Sequence, residues 1–160
     1  MAKLQYPVTN AVRTLRAAQV AFIPHLYDYE ERGGTAASAR ALGVAEHLVI
    51  KTLVMQDETK QPLIALMHGD CEVSTKNLAR LTGVKTVAPC APAVADRHSG
   101  YQVGGTSPFG TRKVMPVYAQ ATISELPRLY INGGKRGFLV ELDPQAALSL
   151  LSAQLVEMRA

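Results

Sequence analysis

Apolar and polar positions along the chain repeat with two periods, and the switches between them mark the elements. Val8, Val12 and Leu15 fall at helical spacing behind a capping Thr9 or Asn10, and Phe22 to Tyr29 then alternates as a strand does. After Gly33-Gly34 the alanine-rich stretch Thr35 to Leu42 predicts a short helix ended by Gly43. Leu48 to Met55 is β-branched and apolar on both faces except at Lys51, a polar turn covers Asp57 to Gln61, and Leu63 to Met67 is apolar again. That pattern predicts a central hairpin. Ser74 caps a predicted helix running to Leu81 and closed by Gly83, a strand follows over Lys85 to Ala88, and Pro92 to Arg97 reads as a further helix.

The C-terminal third gives strands at Lys113 to Tyr118, Arg128 to Ile131 and Phe138 to Leu142, the last two joined by a loop from Asn132 to Gly137. Asp143 and Pro144 open a final helix whose stripe is Leu148, Leu151, Leu155 and Met158. Interleaved helices and hairpins predict an α/β or α+β domain built on a mixed sheet. No repeat or long linker divides the chain, so residues 1–160 are expected to form one domain.

Composition narrows the class. With 160 residues, 48% of them hydrophobic and 19% charged, the chain supports a core without disulfides or a structural metal, which excludes disordered and disulfide-scaffold classes. Cys71 and Cys90 match neither a CxxC pair nor a zinc ligand set, and no apolar run reaches the roughly 18 residues of a membrane span. A cytoplasmic protein with no membrane partner is expected. The net charge of +4 is concentrated, because residues 97–136 hold six cations against Glu125 alone, a net +5. Such a segment reads either as a solvated face or as a surface for phosphate.

Lys51 is the most informative residue, since an ammonium in an otherwise apolar strand is costly unless an anion or water reaches it. Either its stem lies along apolar surface with the head in water, or it projects into a cleft toward a phosphate or carboxylate. Gly104-Gly105-Thr106-Ser107-Pro108-Phe109-Gly110 allows close backbone approach and presents amides, as an oxyanion site requires, although it is neither a Walker A nor a GxGxxG sequence. Asn132-Gly133-Gly134-Lys135-Arg136-Gly137 reads as a hairpin turn or a cationic phosphate cradle. His25, His47, His68 and His98 lack any paired ligand spacing, so no metal is expected.

Taken together, Ile50-Lys51-Thr52-Leu53, the run Gly100-Tyr101-Gln102-Val103 continuing through Gly110, and Gly133-Gly134-Lys135-Arg136-Gly137 resemble the YbaK/EbsC-type aminoacyl-tRNA deacylases. That family is related to the editing domain of prolyl-tRNA synthetases. The resemblance implies a mixed, mostly antiparallel curved sheet surrounded by helices. It also implies a trans-acting protein that cleaves the 3′ aminoacyl ester of mischarged tRNA, first of all Cys-tRNA(Pro), without metal or cofactor. The implied partners are the tRNA 3′ end and a prolyl-tRNA synthetase–tRNA complex. Lys51, Gly104 and Gly105 are then the catalytic positions, with Tyr27, Thr106, Ser107, Pro108, Asn132, Gly133, Gly134, Lys135 and Arg136 binding substrate.

Two positions depart from the cysteine-clearing branch, which carries a serine and an aspartate where this chain has Asn132 and Leu139. Leu139 cannot replace a carboxylate that orients substrate. A deacylase for alanine or another small amino acid therefore stays open, as does a non-catalytic module binding tRNA or a synthetase. A small-molecule ester hydrolase is the third reading. Attack by water and cyclisation by a substrate thiol remain alternative routes, one hydrolytic and one a lyase reaction.

Overall fold

A computed structural model describes residues 5–160; the first four positions of the expected 1–160 domain lie outside the described residues. Helix α1 (Asn10–Ala17) starts where Thr9 accepts the Val12 amide, and α2 (Gly34–Leu42) stops at Gly43, whose φ of 69° satisfies the left-handed stop. Helix α3 (Thr75–Thr82) uses both devices, with Ser74 Oγ accepting the Asn77 amide and Gly83 at φ 76°. Ser74→Ala removes only the side-chain acceptor, because the Ser74 amide still donates to the Met158 carbonyl. The expected loss is about 1 kcal/mol, read as a lower urea midpoint at an unchanged slope.

The strands are β1 (Ile23–Leu26), β2 (Val49–Asp57), β3 (Pro62–His68), β4 (Val87–Pro89), β5 (Val117–Gln120), β6 (Leu129–Lys135), β7 (Phe138–Leu142) and β8 (Gln154–Val156). Two further helices, α4 (Pro92–Ser99) and α5 (Pro144–Leu150), complete the elements, with 3-10 turns at Glu46–Leu48 and Ala121–Glu125. They form one mixed sheet in the order β1-β7-β6-β2-β3-β5-β8, with β4 also on β2. Four pairings are antiparallel and three, β2 with β6, β3 with β5 and β5 with β8, are parallel. The β2-β3 hairpin pairs Ile50 with His68 through to Gln56 with Pro62.

Alternation along β2 divides the core between the two faces of the sheet. Ile50 and Val54 join Ile64, Leu66, Phe109 and Phe138 in the larger cluster, whereas Met55 packs with Leu63, Met67, Leu78 and Met158 on the other side. Val49 and Leu139 meet Ala39 of α2 in a third, smaller cluster. Every residue of β3 is buried, which is why that strand reads as a continuous apolar run without alternation.

Three expectations at element level are corrected. The final helix ends at Leu150: Ser152 turns left-handed at φ 49°, and the chain continues as β8 along the free edge of β5. Leu155 is consequently half-exposed while Met158 is fully buried, a split that a single helical stripe does not allow. The expected loop Asn132–Gly137 is mostly strand, since β6 continues through a bulge to Lys135 before turning into β7. Glycines carry weak strand propensity, but their missing side chains let β6 pass over the Phe138 ring, 2.4 Å from where a Gly133 Cβ would sit. Finally, β5 begins at Val117, not Lys113, because Pro116 has no amide to donate to a ladder.

Candidate functional site

A cavity of about 660 Å³ opens where the start of β2, the N-terminus of α2, the Gly104 loop and the β6-β7 pair converge. Its size lies within the range of small-molecule sites. Lys51 projects into it from β2, on the face it shares with Val49. The ammonium donates to the Cys71 carbonyl at 2.8 Å and to Glu72 Oε1 at 3.0 Å. The buried stem and paired head resolve the cost expected of a lysine in this strand. Glu72 is 81% exposed, so its hold on Lys51 is weak and an incoming anion can replace it.

The glycine loop and the β6-β7 turn are tied together by side chains. Asn132 Nδ2 donates to the Gly104 carbonyl at 3.2 Å, and its Oδ1 accepts the Gly134 and Lys135 amides. Arg136 Nε donates to the Val103 carbonyl at 2.9 Å, and its guanidinium lies 5.0 Å from the centre of the Tyr29 ring. Gly104 (φ 93°) faces the Tyr29 hydroxyl, and a Cβ on Gly105 would fall 2.7 Å from the Arg136 backbone nitrogen. The Gly104 and Thr106 amides meet no acceptor among the described residues.

Six of the twelve expected site residues line the cavity: Tyr27, Lys51, Gly104, Thr106, Asn132 and Arg136. The other six stand behind this wall or outside it. The Gly105 amide is spent on the Gln102 carbonyl, and the buried Ser107 hydroxyl accepts the Phe109 amide beside Pro108. The Gly133 carbonyl accepts the Thr9 hydroxyl, Gly134 abuts Tyr101, and Lys135 points into solvent. Of the cationic segment only Arg136 reaches the cavity, while Arg128 pairs with Glu141.

Two features were hidden in the sequence. The first turn of α2 lines the cavity through Gly34, Thr35 and Ala36 and has no side-chain cap, so its positive end faces the ligand space. Gly33-Gly34 signalled only a turn. Secondly, histidines that look isolated by spacing are stacked: the His47 and His68 rings are parallel with centroids 3.7 Å apart. His68 is fully buried, with Nδ1 donating to the His47 carbonyl and Nε2 accepting from the Thr122 hydroxyl. Burial holds its imidazole below the ordinary range, hence neutral.

The family model of the aminoacyl-tRNA editing domain matches residues 30–150. The Enterococcus faecalis protein named "Putative Cys-tRNA(Pro)/Cys-tRNA(Cys) deacylase EbsC" is 32% identical over 150 residues, 93% of this chain and 92% of that protein. A proline--tRNA ligase from Thermodesulfovibrio yellowstonii is 31% identical over 97 residues, 59% of this chain but 16% of the ligase. A solved structure described as "a putative trans-editing enzyme for prolyl tRNA synthetase" shares the fold at TM-score 0.82 and 20% identity, covering 97% of this chain and 99% of that one.

Proposed function

Since the chain belongs to the aminoacyl-tRNA editing domain family, we propose that it is a trans-acting deacylase that cleaves the 3′ ester of mischarged tRNA, with Cys-tRNA(Pro) as its first substrate. The observation that carries this reading is the Lys51 ammonium, which enters the cavity that Gly104 and Thr106 also line and which, among the described residues, is held by a carbonyl and an exposed carboxylate. Lys51 takes an anionic group of the terminal nucleotide in place of Glu72. The Gly104 and Thr106 amides meet the carbonyl oxygen as it gains charge, and the Asn132 and Arg136 ties hold that loop still. Gly105 serves by close approach, because its own amide is already bonded.

An ester positioned against fixed donors needs no protein nucleophile. In the hydrolytic route water adds to the carbonyl carbon, the ester C–O bond breaks, and the ribose oxygen leaves with the proton. In the alternative route the sulfur of the substrate's own thiol attacks the carbonyl carbon, the ester C–O bond breaks, the thiol proton goes to the leaving ribose oxygen, and the acyl group departs as a thiolactone. Both regenerate the tRNA hydroxyl, and product analysis separates hydrolase from lyase.

A second reading is favoured by Leu139. This buried residue faces Asn132 across β6-β7 and gives the cavity an apolar wall beside Val49, which suits alanine or another small apolar side chain. The test is loss of label from Cys-tRNA(Pro) and Ala-tRNA(Pro), with and without prolyl-tRNA synthetase. Faster loss of the cysteine ester than in buffer is expected. Loss of the alanine ester alone transfers the protein to the second reading, and salt-sensitive binding with loss of neither makes it a non-catalytic tRNA-binding module.

A further inference from the structure

Among the described residues, a cluster of metal-ligating atoms lies outside the cavity wall, at the turn after β3. His47 sits on the 3-10 turn before β2, 23 positions from Asp70, and β2-β3 pairing closes that separation. The His47 Nδ1–H donates to Asp70 Oδ1 at 2.8 Å, and the Cys71 thiol points at the same oxygen at 3.4 Å. One ligand atom from each of the three residues lies within 4.8 Å of the other two. We propose that His47 Nδ1, Asp70 Oδ1 and Cys71 Sγ bind a single borderline-soft divalent cation of the Zn²⁺ class, with water as the remaining ligand.

Ligand chemistry and charge both fit. Ligands about 2.0–2.3 Å from a tetrahedral zinc lie roughly 3.3–3.8 Å from one another; the His47–Asp70 and Asp70–Cys71 spacings of 2.8 and 3.4 Å need little change, and the His47 and Cys71 ligand atoms lie within 4.8 Å. A thiolate with an imidazole and one carboxylate favours Zn²⁺ over Mg²⁺ or Ca²⁺, which take oxygen ligands. The carboxylate and thiolate together cancel the charge of the ion, so Lys51 and Arg159 nearby gain no new repulsion. The ring orientation is already set, because His47 stacks on His68 and His68 is fixed at both nitrogens. His47 and Asp70 side chains are 41% and 44% exposed, which leaves an entry path and room for the water.

The position matters for the cavity beside it. The Cys71 carbonyl and Glu72 are the two groups that hold the Lys51 ammonium, so an ion on Cys71 fixes the turn against which Lys51 rests.

Binding is tested on the full chain, independently of deacylation, by titrating Co²⁺ and following thiolate-to-cobalt charge-transfer absorption, then displacing it with Zn²⁺. One equivalent with a thiolate band is expected for the wild type and for Cys90→Ser. Cys71→Ser should lose the band, and His47→Ala should bind more than about tenfold more weakly. Circular dichroism on each variant reports that the fold is retained, as expected for partly exposed positions. No thiolate band in the wild type overturns the site, and so does an unchanged band in Cys71→Ser or its loss in Cys90→Ser. These outcomes are distinct from failure of the deacylase reading, which the ester assay alone reports.

Discussion

Lys51→Ala is expected to lower kcat/KM for deacylation by about 100-fold, roughly 2.7 kcal/mol of transition-state stabilisation, while the protein stays folded. The fold is spared because truncation leaves no buried charge behind. The partner carboxylate, Glu72, is 81% exposed and returns to water, and the other partner is a carbonyl beside the cavity. The loss is large because the ammonium is the cation that β2 delivers into the cavity, where solvent is partly excluded and a charge-assisted bond counts for more than at the surface. Initial rates over a range of charged-tRNA concentrations, beside thermal melts of both proteins, check both halves. Activity within a few fold of wild type in a folded variant would remove Lys51 from the mechanism.

The second large effect is structural and then catalytic. A Cβ on Gly105 would lie 2.7 Å from the Arg136 nitrogen and 2.8 Å from the Lys135 carbonyl carbon, both backbone atoms that no rotamer change can clear. Gly105→Ala must therefore push the glycine loop off the β6-β7 turn, at an expected cost of about 2–3 kcal/mol. The same displacement moves Gly104, Asn132 and Arg136 relative to Lys51, and a shift of about 1 Å at such a site costs on the order of 100-fold in rate. Gly83→Ala makes the contrast: nothing lies within 4 Å of its Cβ, and only its φ of 76° opposes the change. That variant should lose roughly 1–2 kcal/mol and keep its activity. Urea midpoints and deacylation rates of the two variants, compared directly, decide whether the close approach at Gly105 shapes the site. Equal effects would show that the loop yields to the added Cβ and that the close approach at Gly105 does not shape the site.

What was legible in the sequence follows the range over which each signal acts. Thr9, Ser74 and Asp143 each accept the amide three residues on, and Gly43 and Gly83 end the helices they follow, so these elements were readable from a few residues each. The β2-β3 hairpin was readable too, because its strands are mostly apolar and their turn is short and polar. The terminal leucine stripe misled for the opposite reason. Leu148 obeys helical spacing inside α5, but the open edge of β5 supplies backbone partners that residues 154–156 take as β8, and no local pattern records that edge.

The site shows the same division. Sequence singled out Lys51, since a cation in an apolar strand is costly wherever the strand packs, and it singled out the glycine loops, since close approach demands glycine. It could not say that Ser107 and Gly133 stand behind the wall while Thr35 and Leu139 are on it, because that depends on which face each strand presents. Nor could it join His47 to Asp70 and Cys71. Capped helices, the β2-β3 hairpin and the cation of β2 were written locally, in residues a few positions apart. Which side chains share the cavity and which histidine meets which carboxylate depended on long-range strand pairing, because a strand shifted by one residue turns every side chain to its other face.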